Sequence, residues 1–124
     1  MFVIVDNTEE GKVIFSFSLN NKFIQRTYKA NDSKGVLFCL EKLLADLKLK
    51  LKDINCLGVV MGEGRFTATR LAVTAANALA YSLKIPVVAL PKNFTQADAL
   101  KLAKSAKAGK YIVPTYSAEV RIGW

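Results

Sequence analysis

Apolar and polar residues alternate along the first quarter of the chain. Residues 2–5 are β-prone and stop at Asp6, and from 12 to 19 Val13, Phe15, Phe17 and Leu19 alternate with Ile14, Ser16 and Ser18. That is the two-residue period of a strand with one face in a core. Asn20 and Asn21 follow, a pair that tolerates positive φ and suits a tight hairpin, and residues 22–28 form a third β-rich run. The period then lengthens. Val36, Leu40, Leu43, Leu44, Leu47 and Leu51 recur at three- and four-residue steps, which predicts a helix over 34–51 with Asn31, Asp32 or Ser33 as its N-cap. Residues 56–61 are apolar on both faces, as in a strand at the centre of a sheet. A second helix is predicted over 66–83 and a fifth strand over 85–90, with Pro86 at its start. Thr95, with Asp98 three residues on, opens a third helix that Gly109 is expected to end. The order βββαβαβα predicts an α/β fold, a mixed five-stranded sheet of the ribonuclease-H-like or actin-like ATPase half-domain kind. A single domain is placed at 1–110 and a C-terminal tail at 111–124, within which residues 111–113 suit a short edge strand.

The two longer helices carry more apolar surface than one sheet can cover. On the first, Val36, Leu37, Leu40, Leu43, Leu44, Leu47 and Leu51 occupy one broad arc, while Phe38, Ala45 and Leu49 fall on the far side. The second has only a narrow polar strip of Thr67, Arg70, Thr74, Asn77 and Tyr81 among its alanines and leucines. A second apolar stripe asks for a second partner, and small residues let two helices approach closely. Phe38, Ala45, Leu49, Ala68, Ala72, Val73, Ala76 and Ala80 are therefore the expected partner interface. A Phe38→Asp or Ala72→Glu change is expected to break pairing and leave the fold intact.

Composition narrows the chemistry. The 124 residues, 52% of them hydrophobic, supply a core for about one domain, and zero histidines remove Ser-His-Asp, Cys-His and His-based zinc templates. Cys39 and Cys56 sit in apolar runs outside any CxxC, as small core residues of a reducing compartment do. The N-terminal run has no basic lead, which argues against a secretory signal, and the stretch between Arg70 and Lys84 is too short to span a bilayer. A soluble, cytoplasmic protein is expected.

Eighteen Lys and Arg against ten Asp and Glu give a net charge of +8. Lys101, Lys104 and Lys107 step along one side of the third helix and, with Lys92 and Lys110, are candidates for contact with RNA phosphates. The turn of Gly62, Glu63 and Gly64 before a helix suits a phosphate, but it completes neither GxxxxGK[ST] nor GxGxxG, and a tight strand-to-helix turn accounts for the glycines. Asp6, Glu9 and Glu10, with Glu63, would begin a two-metal nuclease site, whereas Asp98 and Glu119 lie on a helix and the tail.

Strand four, the turn and helix two resemble the central motif of the TsaB family, the YeaZ-like tRNA threonylcarbamoyladenosine biosynthesis proteins, in which a strand leads into a GxGPGSFTGLR-like turn. Gly62, Gly64, Phe66, Thr67 and Arg70 match in spacing, residues 83–88 resemble that family's "GIP-V" strand, and Ile4, Val5 and Asp6 resemble its first strand. The similarity covers about residues 2–94, near the family's N-terminal half. Glu63, Arg65, Ala68 and Thr69 replace the pattern's Pro, Ser, Gly and Leu, and residues 113–119 resemble the Pro-x-Tyr close of longer members, which suggests an internally shortened form. The resemblance implies a non-catalytic subunit without cofactor or metal. Its partner would be the ATP-binding TsaD, paired through the first two helices, with TsaE as ATPase, in transfer of threonylcarbamoyl to the adenosine beside the anticodon. A small ribonuclease-H-like nuclease and a homodimeric interaction module are the alternatives.

Overall fold

The computed structural model describes residues 1–31, 33–62 and 66–113. Strand β1 (Phe2–Asp6) lies at the centre of a five-stranded sheet of order β3-β2-β1-β4-β5, with β2 (Lys12–Leu19), β3 (Lys22–Lys29), β4 (Cys56–Met61) and β5 (Val87–Pro91). β1 and β2 pair antiparallel, as do β2 and β3, whereas β1, β4 and β5 run parallel, so the sheet is mixed. The hairpin between β2 and β3 turns on Asn20 and Asn21, both at positive φ (52° and 64°). That conformation matches the twist of the flanking strands and costs Asn less than most residues.

Period two sorts the strand side chains between two cores. Val3, Val5, Val13, Phe15, Phe17, Leu57 and Val59 join helices α1 (Val36–Leu47) and α2 (Phe66–Leu83) on one face. Phe2, Ile4, Cys56, Val60 and Leu90 meet Ala99 of helix α3 (Gln96–Ser105) on the other. Gly58 sits on this second face, where a Cβ would come within 3.1 Å of both Ile4 and Leu90. Each large apolar side chain so buried contributes about 1.5–3 kcal/mol. Cys39 and Cys56 are free and buried, and burial pushes the Cys56 thiol up to about 11, out of reach of ordinary thiolate chemistry.

The helix boundaries differ from the sequence expectation. α1 is shorter than 34–51: its N-cap is Gly35, without a side-chain cap, because the Asn31 carboxamide accepts from Ser33 and Lys34 in a turn of its own. At the other end Lys48 takes φ 57° and Leu49 N–H donates to the Leu44 carbonyl. This left-handed ending puts Leu51 in a separate 3-10 turn, Leu51–Asp53. α3 begins as expected, with the Thr95 hydroxyl accepting from Asp98 N–H, but ends at Ser105, before Gly109. Residues 111–113 form no strand; Tyr111 and Ile112 lie against α2.

Candidate interaction surface on the first two helices

α1 and α2 lie side by side, and between their N-terminal halves runs an open groove of about 780 Å³. One wall is Leu37 and Phe38 of α1, the other Thr67, Ala68, Leu71 and Ala75 of α2, and the polar end is closed by Asn7, Glu10, Lys12, Asn31 and Ser33 from neighbouring loops. Leu37 is 54% exposed, Phe38 47% and Leu71 60%. The Phe38 ring carries the Lys34 ammonium 5.5 Å from its centroid and is otherwise open on its outer side, so it is not tucked under a loop. Three large apolar side chains thus stand exposed around one groove, an arrangement suited to an interaction site.

The expected interface needs correction on α2. Ala68, Ala72, Val73, Ala76 and Ala80 are buried in the chain's own core, with Ala72 only 1% exposed. They are small because the helix sits close over β4 and β1, and of the five only Ala68 also lines the groove. Leu49 is likewise half-buried against the core beyond the end of α1, and Leu37, expected on the sheet-facing arc, points outward. Phe38 and Ala45 remain exposed. Leu37 and Leu71, which define the groove, were not among the expected interface residues. Phase would have found them: with Val36, Leu40 and Leu43 turned inward, position 37 faces out, and with Ala68, Ala72 and Ala76 inward, 71 and 75 form the next stripe.

A polar knot shapes the loop that closes the groove. At the carboxyl ends of β1 and β5, the Lys92 ammonium donates to Asp6 Oδ2 (2.8 Å), Thr8 Oγ1 (2.8 Å) and Glu9 Oε2 (3.2 Å). Thr8 in turn donates its N–H and its hydroxyl to Asp6 Oδ1. Burial alone would lift the Asp6 carboxyl, but the hydrogen bonds from Lys92 and Thr8 outweigh it and hold Asp6 below its ordinary value. Gly62 packs against this knot, where a Cβ would stand 2.8 Å from Thr8 Cγ2. One residue on, the Asn7 amide donates to the Ala68 carbonyl at 2.9 Å and fastens the loop to the first turns of α2.

These contacts reassign two sets of candidates. Lys92, expected among the lysines that would contact RNA, is held in ion pairs with Asp6 and Glu9. The same ammonium sits where the nuclease alternative would need a divalent cation, and among the described residues no group of three or more Cys, Asp or Glu side chains is placed to hold one. Lys101, Lys104, Lys107 and Lys110 are exposed, the first two on α3 and the others beyond its end. Of the remaining motif residues, Thr67 lines the groove, Arg70 is exposed on α2 and Phe66 opens that helix, while Gly64 lies outside the described residues.

The sheet order and the helix placement define an α/β half-domain of the actin-like ATPase fold, with a partly apolar groove between its first two helices. The solved YeaZ from Pseudomonas aeruginosa has the same fold: TM-score 0.63 at 19% identity, over 73% of this chain and 42% of that one. Residues 26–118 match the family described as "TsaD: tRNA N6-adenosine threonylcarbamoyltransferase", and the chain belongs to that family. Within it, the similar curated proteins are TsaB. The "tRNA threonylcarbamoyladenosine biosynthesis protein TsaB" of Buchnera aphidicola subsp. Schizaphis graminum is 38% identical over 76 residues, 61% of this chain and 33% of that protein. TsaB of Bacillus subtilis is 36% identical over 62 residues, 50% of this chain and 27% of that one. The chain thus spans about a third of the length of these relatives.

Proposed function

We propose that this protein is a non-catalytic scaffold subunit in the formation of threonylcarbamoyladenosine in tRNA, and that it pairs with a TsaD-like subunit through the groove between α1 and α2. The observation that carries this is the exposure of Leu37, Phe38 and Leu71 around one cleft of a chain whose similar relatives are named for that biosynthesis. Burial of three such side chains on a partner is worth several kcal/mol, enough for a specific contact when the rest of the interface fits. The chain's own contribution is positional: Asn7 and the Lys92–Asp6–Thr8 knot hold the groove's polar end, and the sheet holds its walls.

In this scheme the partner does the chemistry, TsaE joins as ATPase, the complex works in the cytoplasm, and the exposed lysines at 101, 104, 107 and 110 lie near tRNA phosphates. The test is co-purification of the wild type and of a Phe38→Asp, Leu71→Glu double variant with a TsaD-like subunit from the same cell. The wild type should bring it down and the variant should not, with unchanged circular dichroism. Equal capture by both, or a wild-type homodimer that excludes the partner, would reject the assignment.

A further inference from the structure

The outer flank of α2 away from α1 is occupied by the chain itself. The Asn77 carboxamide donates from Nδ2 to the Ile112 carbonyl at 2.9 Å, and its Oδ1 accepts from the Ile112 N–H at 3.0 Å. A residue in extended backbone presents its N–H and C=O on one side, and pairing both is what a neighbouring strand does in a sheet. A single planar amide can do the same, since it carries one acceptor and donors in a fixed fork. Ile112 packs on the core shared by α1 and α2, and the Tyr111 ring lies 6.4 Å from that of Tyr81, one turn along from Asn77. Asn is a poor residue for the middle of an 18-residue helix unless its side chain has a task. This flank is distinct from the groove: Asn77 is turned a third of the helix circumference or more from Leu71 and Ala75.

We propose that Asn77 is a peptide-reading side chain, and that this flank of α2 is a docking site for extended polypeptide which the protein fills in cis with Tyr111 and Ile112. The ligand class is an extended segment with an apolar residue at the amide clamp and an aromatic residue immediately before it. Filling the site from within closes this flank and leaves the groove as the open side of α2. The device does not depend on the identity of any partner. A failed pairing test and a failed latch test are therefore separable.

Amide hydrogen exchange, followed by NMR on the full chain, tests it. The Ile112 N–H should be protected in the wild type, and Asn77→Ala should speed its exchange roughly ten- to hundredfold, as expected for two lost hydrogen bonds, while amides in β1 and β4 stay unchanged. Ile112→Pro, which removes the donor without touching α2, guards against a folding defect in the first variant. It should release Tyr111 from Tyr81, read as loss of the cross-peaks between their rings. Ile112 exchange at the unstructured-peptide rate in the wild type, or unaltered by Asn77→Ala, would overturn the clamp. Protection that disappears on dilution would overturn occupancy in cis and assign the segment to a second copy.

Discussion

Helix covers both faces of the sheet, yet the two coverings end differently at the solvent. Over the first face α1 and α2 bury Val36, Leu40, Leu43, Ala72 and Ala76 and still present Leu37, Phe38 and Leu71 outward. Over the second face α3 buries Ala99, half-buries Ala103, and turns Lys101 and Lys104 to water. Both use the same 3.6-residue period to make an inner stripe; what differs is the outer one, three large apolar side chains around a groove on one side, and on the other Lys101 and Lys104 beside the more nearly covered Leu100 and Leu102. An outer stripe of lysine costs nothing to leave wet, whereas one of leucine and phenylalanine gains from being covered. On the proposed function, the groove side receives a polypeptide and the α3 side faces solvent or a polyanion.

The sharpest way to break this contrast is to move a charge from the outer stripe to the inner one. Ala72→Glu places an uncompensated carboxylate in the core and should cost several kcal/mol, enough to unfold a domain of this size, read as loss of the urea unfolding transition. This corrects the sequence-based expectation that the fold would survive it. Phe38→Asp with Leu71→Glu should leave stability within about 0.5 kcal/mol per site yet weaken partner binding by about 2–4 kcal/mol, measurable by calorimetry against the captured subunit. A folded Ala72→Glu protein, or a double variant as unstable as Ala72→Glu, would show that inner and outer stripes have been misassigned.

A smaller effect is expected where the two faces are tied together. Lys92→Met leaves the half-buried Asp6 carboxylate without its ammonium partner and should cost about 1 kcal/mol, discounted because Lys92 is itself half exposed. Asp6 is held below its unfolded value, so its contribution is complete above the ordinary carboxylate range and fades as pH falls through the lowered value. Desolvation pulls the Lys92 ammonium down, but the hydrogen bonds it donates to Asp6 and Glu9 outweigh that and raise it, so it adds stability that is present at neutral pH and is lost as pH rises through the elevated value. The gap in stability between wild type and Lys92→Met should therefore be flat near neutrality and close at both extremes, as followed by denaturant midpoints across pH. Smallest of all, Lys101→Ala with Lys104→Ala should leave stability and partner capture alone. It should lower the salt-dependence slope of tRNA binding by about one per lysine in contact.

Much of the fold was legible because local physics and global fold agree. Alternation in residues 12–19, the Asn20–Asn21 hairpin, the all-apolar β4 and the Thr95 cap each follow from a period or a turn preference, and each stands in the structure. What failed on α2 did so because a helix pattern says that a residue is apolar or small, and not which body approaches it. The alanines of α2 read as a contact for another chain because small residues permit close approach, but the body that comes close is the protein's own sheet. Lys92 read as one more lysine in a basic half because its ion-pair partners, Asp6 and Glu9, lie more than eighty positions away along the chain. Residues 111–113 read as a strand because extended backbone needs a partner for its polar groups, and pattern alone cannot name Asn77 as that partner.

By itself, then, the order of residues determined the elements, the parallel and antiparallel halves of the sheet, the family and the existence of surplus apolar surface on two helices. Tertiary structure alone decided which stripe is surplus, where the loop carboxylates find their cation, and that Tyr111 and Ile112 dock on a helix and not on a sheet edge. The division follows from range: periodicity and turn chemistry act over a few residues, whereas burial and charge pairing depend on distances in space between residues far apart in the chain.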